Sequence, residues 1–146
     1  MRFKITAAAG LSLLLAAPFQ ILLRAQAHSS THDGVYTIAQ ANRGLSFYTK
    51  ACASCHGDTL EGVGQIPPLA GSDFTAHWVG QPLDELFEKM QTSMPADHPG
   101  QISRSENADI LAYLLRVNKF PAGDAQLASS AAALKQIQFD EPAASH

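Results

Sequence analysis

Ala51-Cys52-Ala53-Ser54-Cys55-His56-Gly57 holds the only two cysteines in 146 residues, spaced as C-x-x-C and followed at once by histidine. Two thiols one helical turn apart can each add to a vinyl group of one porphyrin, forming thioethers. The next side chain then falls under the ring, where a neutral imidazole can ligate iron. The stretch therefore reads as an attachment site for one covalent c-type haem. Cys52 and Cys55 are the expected thioether positions and His56 the expected proximal ligand. Two other chemistries fit poorly. A thioredoxin-like dithiol needs a βαβ pattern around its cysteines and leaves His56 unexplained. A zinc module needs a second clustered pair of ligands, and only scattered His77 and His98 are on offer.

Working back to the start of the chain, Met1-Arg2-Phe3-Lys4 is positively charged and an apolar run follows from Ile5 to Leu15. Ala25-Gln26-Ala27 supplies a small-x-small cleavage pattern, so residues 1–27 are predicted to be a removable signal peptide. The competing reading is an uncleaved membrane tether, since the stretch from Ile5 to Leu23 is long enough to cross a bilayer; Pro18 and Gln20 interrupt it. In bacteria c-type haem is attached outside the cytoplasmic membrane, and for a Gram-negative cell the expected location is the periplasm. Cleavage removes Arg2, Lys4 and Arg24 but no acidic residue, moving the formal net charge from −3 to −6. That balance argues against nucleic acid and anionic membranes as partners. No stable membrane insertion is expected once the signal is cut. The 119 residues left suffice for one domain with a modest core.

Residues 28–36 are polar and read as a flexible start. A first helix is predicted over about Ile38–Cys52, with Thr37 and Gln40 at capping-box spacing and Leu45, Tyr48 and Cys52 recurring on one face. Gly44 inside it costs about 1 kcal/mol relative to alanine, and its expected justification is the close approach of another helix. Ser72 starts a short helical turn through Phe74 to Trp78. Pro82 then opens a helix whose stripe is Leu83, Leu86, Phe87 and Met90. A last helix is predicted over about Ser105–Asn118, capped by Ser103 and Glu106, buried through Ile110, Tyr113, Leu114 and Val117, and ended by Pro121. Tyr113 is expected to lie against Gly44 and Tyr48. From Ala122 the composition shifts to Ala, Ser and Gln. Leu127, Ala131, Leu134 and Ile137 either form a short packed helical face, or the tail frays.

Between these helices lie the groups a haem iron would need. Ile66-Pro67-Pro68-Leu69-Ala70-Gly71 is too proline-rich to be helical, so its carbonyls are free to accept the Nδ1–H of His56 and orient the ring. Met90 belongs to a helix stripe and reads as core. Met94 lies beyond that stripe in Ser93-Met94-Pro95-Ala96-Asp97-His98-Pro99-Gly100, a proline-stiffened loop suited to present a thioether as the distal ligand. His98 is the next contender and His77 a distant one. Trp78, the only tryptophan, has an indole N–H that either a haem propionate or a backbone carbonyl could accept.

Taken in order, Gly44…Tyr48…Cys52-Ala53-Ser54-Cys55-His56, Pro67-Pro68-Leu69-Ala70-Gly71, Met94-Pro95 and Asp109-Ile110-Leu111-Ala112-Tyr113-Leu114 resemble the class I cytochromes c over about Tyr36–Pro121. The resemblance implies an all-α domain at residues 37–121, with four to five short helices around one covalently bound haem, and a C-terminal extension at 122–146. It implies His56 as proximal ligand, Met94 as distal ligand and the Pro67 carbonyl as partner of His56. Asn118-Lys119-Phe120-Pro121-Ala122-Gly123, with the Pro67–Gly71, Met94-Pro95 and Pro99-Gly100 stretches, is similar to single-haem cytochromes that accompany exported dehydrogenases, often quinoproteins.

The function expected on this basis is one-electron transfer from an exported dehydrogenase towards an oxidase or another cytochrome. With His56 and Met94 both bound, no coordination position is open, so the protein is expected to be an electron carrier and not an enzyme. The alternative is a haem c protein with a labile distal ligand, acting as a small-molecule sensor or peroxidase-like enzyme.

Overall fold

Helix α1 (Ile38–Ala51) crosses helix α5 (Arg104–Val117), and the remaining elements are arranged around that pair. The computed structural model describes residues 29–143, and the expected signal peptide at 1–27 lies outside them. In chain order the elements are β1 (Ser29–Ser30), a 3-10 turn (Thr31–Asp33), α1, α2 (Ala53–His56), α3 (Ser72–Trp78), α4 (Leu83–Ser93), α5, α6 (Ala131–Leu134) and β2 (Ile137–Gln138). The class is helical as expected. The count of six α-helices among the described residues exceeds four to five because α2 and α6 are single turns.

The crossing is close because Gly44 has no side chain. A Cβ built there would overlap the Asp109 carbonyl and lie 2.9 Å from Tyr113 Cβ. Across the same contact the rings of Tyr48 and Tyr113 sit 5.4 Å apart, tilted by 53°. At its rim Arg43 donates two hydrogen bonds to the Asp109 carboxylate, at 2.8 and 2.9 Å. Helix α5 is buried almost all round from Asn107 to Leu115, which makes it the central helix of the domain. Its start is a full capping box: Ser103 and Glu106 satisfy each other's free backbone N–H.

Several details depart from the sequence reading. The buried stripe of α1 is Gln40, Ala41, Gly44 and Tyr48, while Leu45 is 42% exposed. Thr37 caps the helix, accepting from the Gln40 N–H at 3.1 Å, but the Gln40 side chain does not return the bond. Instead it is buried, donating to the Leu127 carbonyl and accepting from the Leu127 N–H. The pull of two otherwise unpaired backbone groups outweighs a cap that water could replace.

Residues 29–36 were expected to be flexible, yet they are packed. Ser29 and Ser30 pair in parallel with Ile137 and Gln138, Ser30 donates to the Asp140 carboxylate, and Thr31 and Tyr36 are buried. The Tyr36 hydroxyl donates to the Phe120 carbonyl at 2.8 Å. Pairing with a segment over one hundred residues away leaves no local signature. The tail is packed as well, though not as one helix: Leu127 precedes α6 and Ile137 lies in β2. Leu127, Leu134 and Phe139 are buried, and Phe139 meets Phe120 and Phe74 edge-on at 5.1 and 6.2 Å.

Candidate haem-binding site

Helix α1 breaks at Cys52, where φ is −122° and ψ −35°, and the chain re-enters a single helical turn, α2. That turn carries Cys55 and ends at His56. Gly57 follows at φ +83°, a conformation that L residues rarely adopt, and it lets the chain leave immediately beyond the histidine. The buried Tyr48 hydroxyl donates to the Gly57 carbonyl at 2.6 Å, fixing the end of α2 to α1. The His56 Nδ1–H donates to the Pro67 carbonyl at 3.0 Å. His56 is 8% exposed, and its Nε2 has no protein partner among the described residues.

The Pro67 carbonyl is itself held. Asn118, buried at the end of α5, accepts from the Gly71 N–H at 3.0 Å and donates to the Leu69 and Leu114 carbonyls at 3.0 and 2.9 Å. This residue was absent from the expected site. Its signal was an amide at a helix end, on the same helical face as Asn107, Ile110 and Leu114.

Cys52, Cys55, His56 and Met94 all line one cavity of about 970 Å³, within the size range of ligand pockets. Its walls include Phe47, Leu69, Phe74, Leu86, Ile110 and Leu114. Met90 also reaches it, from the buried stripe of α4. Met94 caps α4 in extended conformation, its N–H still bonded to the Met90 carbonyl at 3.1 Å. Trp78 lines the cavity beside Phe74 and His77, and its indole N–H has no acceptor among the described residues. His77 and His98 also border the cavity; His98 pairs with Asp97 at 3.1 Å, and both side chains are largely exposed.

The donor set fits a haem. An apolar chamber of this size suits a macrocycle, two thiols stand on one wall, and the histidine has one nitrogen engaged and the other free. The electrostatics disfavour a redox dithiol. Burial, together with the neighbouring Cys55, pushes the Cys52 thiol up to about 11, opposite to the lowered values of catalytic C-x-x-C pairs. Among the described residues no group of three or more His, Cys, Asp or Glu could hold a free metal ion. No described helix is long and apolar enough to cross a membrane.

The family model described as cytochrome c oxidase, cbb3-type, subunit III matches residues 39–114, just over half of the chain. The sulfane dehydrogenase SoxCD from Paracoccus pantotrophus aligns at 28% identity and a TM-score of 0.46. That alignment covers 76% of this chain and 59% of the SoxCD chain. No curated protein matches the sequence.

Proposed function

Because the chain belongs to the family of cbb3-type cytochrome c oxidase subunit III, a cytochrome c family whose domain implies covalent haem and electron transfer, we propose that it is a periplasmic single-haem electron carrier with His56 and Met94 as axial ligands. The observation that carries this reading is the convergence of Cys52, Cys55, His56 and Met94 on one largely apolar cavity. Cys52 and Cys55 would hold the porphyrin through thioethers. Pro67, through its carbonyl, holds His56 in the tautomer that leaves Nε2 free for iron, and raises the basicity of the ring. Trp78 offers its N–H to a propionate. When bound, haem supplies one-electron redox chemistry, and Met ligation favours a higher potential than a second histidine. The apolar walls exclude water, which further favours the less charged reduced state.

The exported dehydrogenase as donor and the oxidase or cytochrome as acceptor rest on the resemblance carried by Pro67–Gly71, Met94-Pro95, Pro99-Gly100 and Asn118–Gly123. Export through residues 1–27 is part of the same proposal. The test is expression in a bacterium that attaches haem c outside its cytoplasmic membrane, followed by intact mass and visible spectra of the periplasmic fraction. The expected product lacks residues 1–27, carries one covalent haem, and shows the weak near-infrared absorption of Fe(III)–thioether ligation. Protein exported without haem would overturn the reading. Haem without that absorption would overturn Met94.

A further inference from the structure

Residues 95–102 leave α4 just beyond Met94 and return to α5 along one edge of the cavity. Residues 96–101 are all exposed. The hydrogen bonds they make among themselves are local: the His98 N–H to the Pro95 carbonyl at 3.0 Å, and the Gln101 N–H to the His98 carbonyl at 3.3 Å. Among the described residues, one hydrogen bond joins the segment to the rest of the molecule. Gln91 of α4 donates through Nε2 to the Ile102 carbonyl at 3.1 Å.

Gln91 is in turn oriented by Asn107 of α5, whose Nδ2 donates to Gln91 Oε1 at 3.0 Å. Asn107 is 2% exposed, so its amide is costly to bury without a partner. With Oε1 occupied by a donor, the Gln91 amide has one orientation left, the one that presents its N–H₂ to Ile102. Three segments thus meet in one chain of bonds: α5 to α4, and α4 to the far end of the loop. Asn107, Ile102 and Met94 border the same cavity, and Gln91 is bonded to the first two of them.

We infer that Gln91 and Asn107 are positioning residues, a crossbar that keeps the 95–102 segment closed and thereby keeps Met94 on the cavity. The inference rests on the reading of Met94 as distal ligand and adds what holds it there. In the covalent haem protein the crossbar sets how often the sixth position opens to a small molecule. It thereby decides between a closed carrier and a protein with a labile ligand. Loss of one ordinary hydrogen bond raises the open population about fivefold.

The test uses holo-protein bearing Gln91→Leu or Gln91→Glu. The first removes both bonds. The second retains acceptors for Asn107 but lacks the donor for Ile102, at nearly constant shape, which keeps the test usable if the leucine variant folds poorly. Three measurements are made: hydrogen exchange of residues 96–102, the rate of carbon monoxide binding to the reduced form, and the temperature at which the Fe(III)–thioether absorption disappears. Both variants should exchange faster in this segment and bind carbon monoxide about fivefold faster. They should also lose the absorption at lower temperature, and Gln91→Glu, which keeps an acceptor for the buried Asn107, should do so with little change in global unfolding. Exchange and carbon monoxide rates equal to those of the parent overturn the crossbar. Faster exchange without faster carbon monoxide binding overturns its link to Met94. A parent protein lacking the thioether absorption overturns the Met94 reading itself, and that result is recognised before any variant is made.

Discussion

Replacing Gly44 with alanine tests the α1–α5 crossing that supports the whole domain. The new Cβ would overlap the Asp109 carbonyl oxygen and sit 2.9 Å from Tyr113 Cβ. Ordinary carbon contacts begin near 3.5 Å, so Tyr113 would have to retreat by about half an ångström and the α5 backbone by more. Neither obstacle is the movable tip of a side chain; one is main chain and the other is the root of a tyrosine. Two effects oppose each other. Alanine is better than glycine in a helix by about 1 kcal/mol. Overpacking a tight contact costs about 1–3 kcal/mol, and a clash with backbone belongs at the upper end. The expected result is a net loss of about 2 kcal/mol, read as a lower guanidinium midpoint at unchanged slope for the holo-protein. An exposed helical glycine would behave oppositely, gaining about 1 kcal/mol on substitution. A variant as stable as the parent, or more so, would refute the close crossing.

Met94→Ala should abolish the thioether absorption and open the reduced protein to carbon monoxide, whereas Met90→Leu, a nearly volume-conserving change within a packed stripe, should keep both spectra and cost less than about 1.5 kcal/mol. Asn118→Leu should lower stability by about 2–4 kcal/mol in a denaturant titration, because it leaves the Gly71 N–H and Leu69 carbonyl without their partner. Ser103→Ala should cost about 1 kcal/mol at neutral pH through loss of the α5 cap. Hydrogen bonds from Ser103 hold the Glu106 carboxyl below the usual carboxylate range, so that contribution is present above the unfolded value, about 4.3, and is lost as pH falls through the folded one. The difference between Ser103→Ala and parent should therefore shrink when unfolding is measured below about pH 4.

What could be read from the chain alone was whatever local chemistry decides. Cys52, Cys55 and His56 are adjacent in sequence, so their joint role needs no tertiary information. The stripe Leu83, Leu86, Phe87, Met90 separates packed from loop methionine because helical periodicity ends before Met94. Ser103 and Glu106 cap their helix through a spacing of three. Gly44 announced a close approach, although only the structure names Asp109 as the obstacle. The misreadings share one cause, a distant partner. Gln40 forgoes its reciprocal capping bond for Leu127, and residues 29–36 are ordered by a tail that meets them at Ile137, Gln138 and Asp140. Asn107 and Asn118 are a different case. Amides on an otherwise apolar helix face, they carried a signal visible in the sequence, since a buried amide must be bonded to something.

Those two asparagines also expose an asymmetry between the walls of the cavity. On the His56 side, the loop bearing the Pro67 carbonyl is fastened to α5 by Asn118, with two of its three hydrogen bonds reaching Leu69 and Gly71, and α2 is fastened to α1 by Tyr48. Opening that side requires breaking several buried bonds together, at a cost that approaches local unfolding. On the Met94 side, a run of exposed residues is joined to the rest, among the described residues, by one hydrogen bond, from Gln91 to Ile102, besides the packing of Ile102 against the core. A structure built this way does not yield evenly. Any perturbation that loosens the domain short of unfolding, whether heat, mild denaturant or a substitution in α4, should release the Met94 side first and leave His56 seated. The balance between a closed carrier and an open, ligand-accessible protein is therefore set on one side of the site, by two amides whose side chains never need to touch the iron.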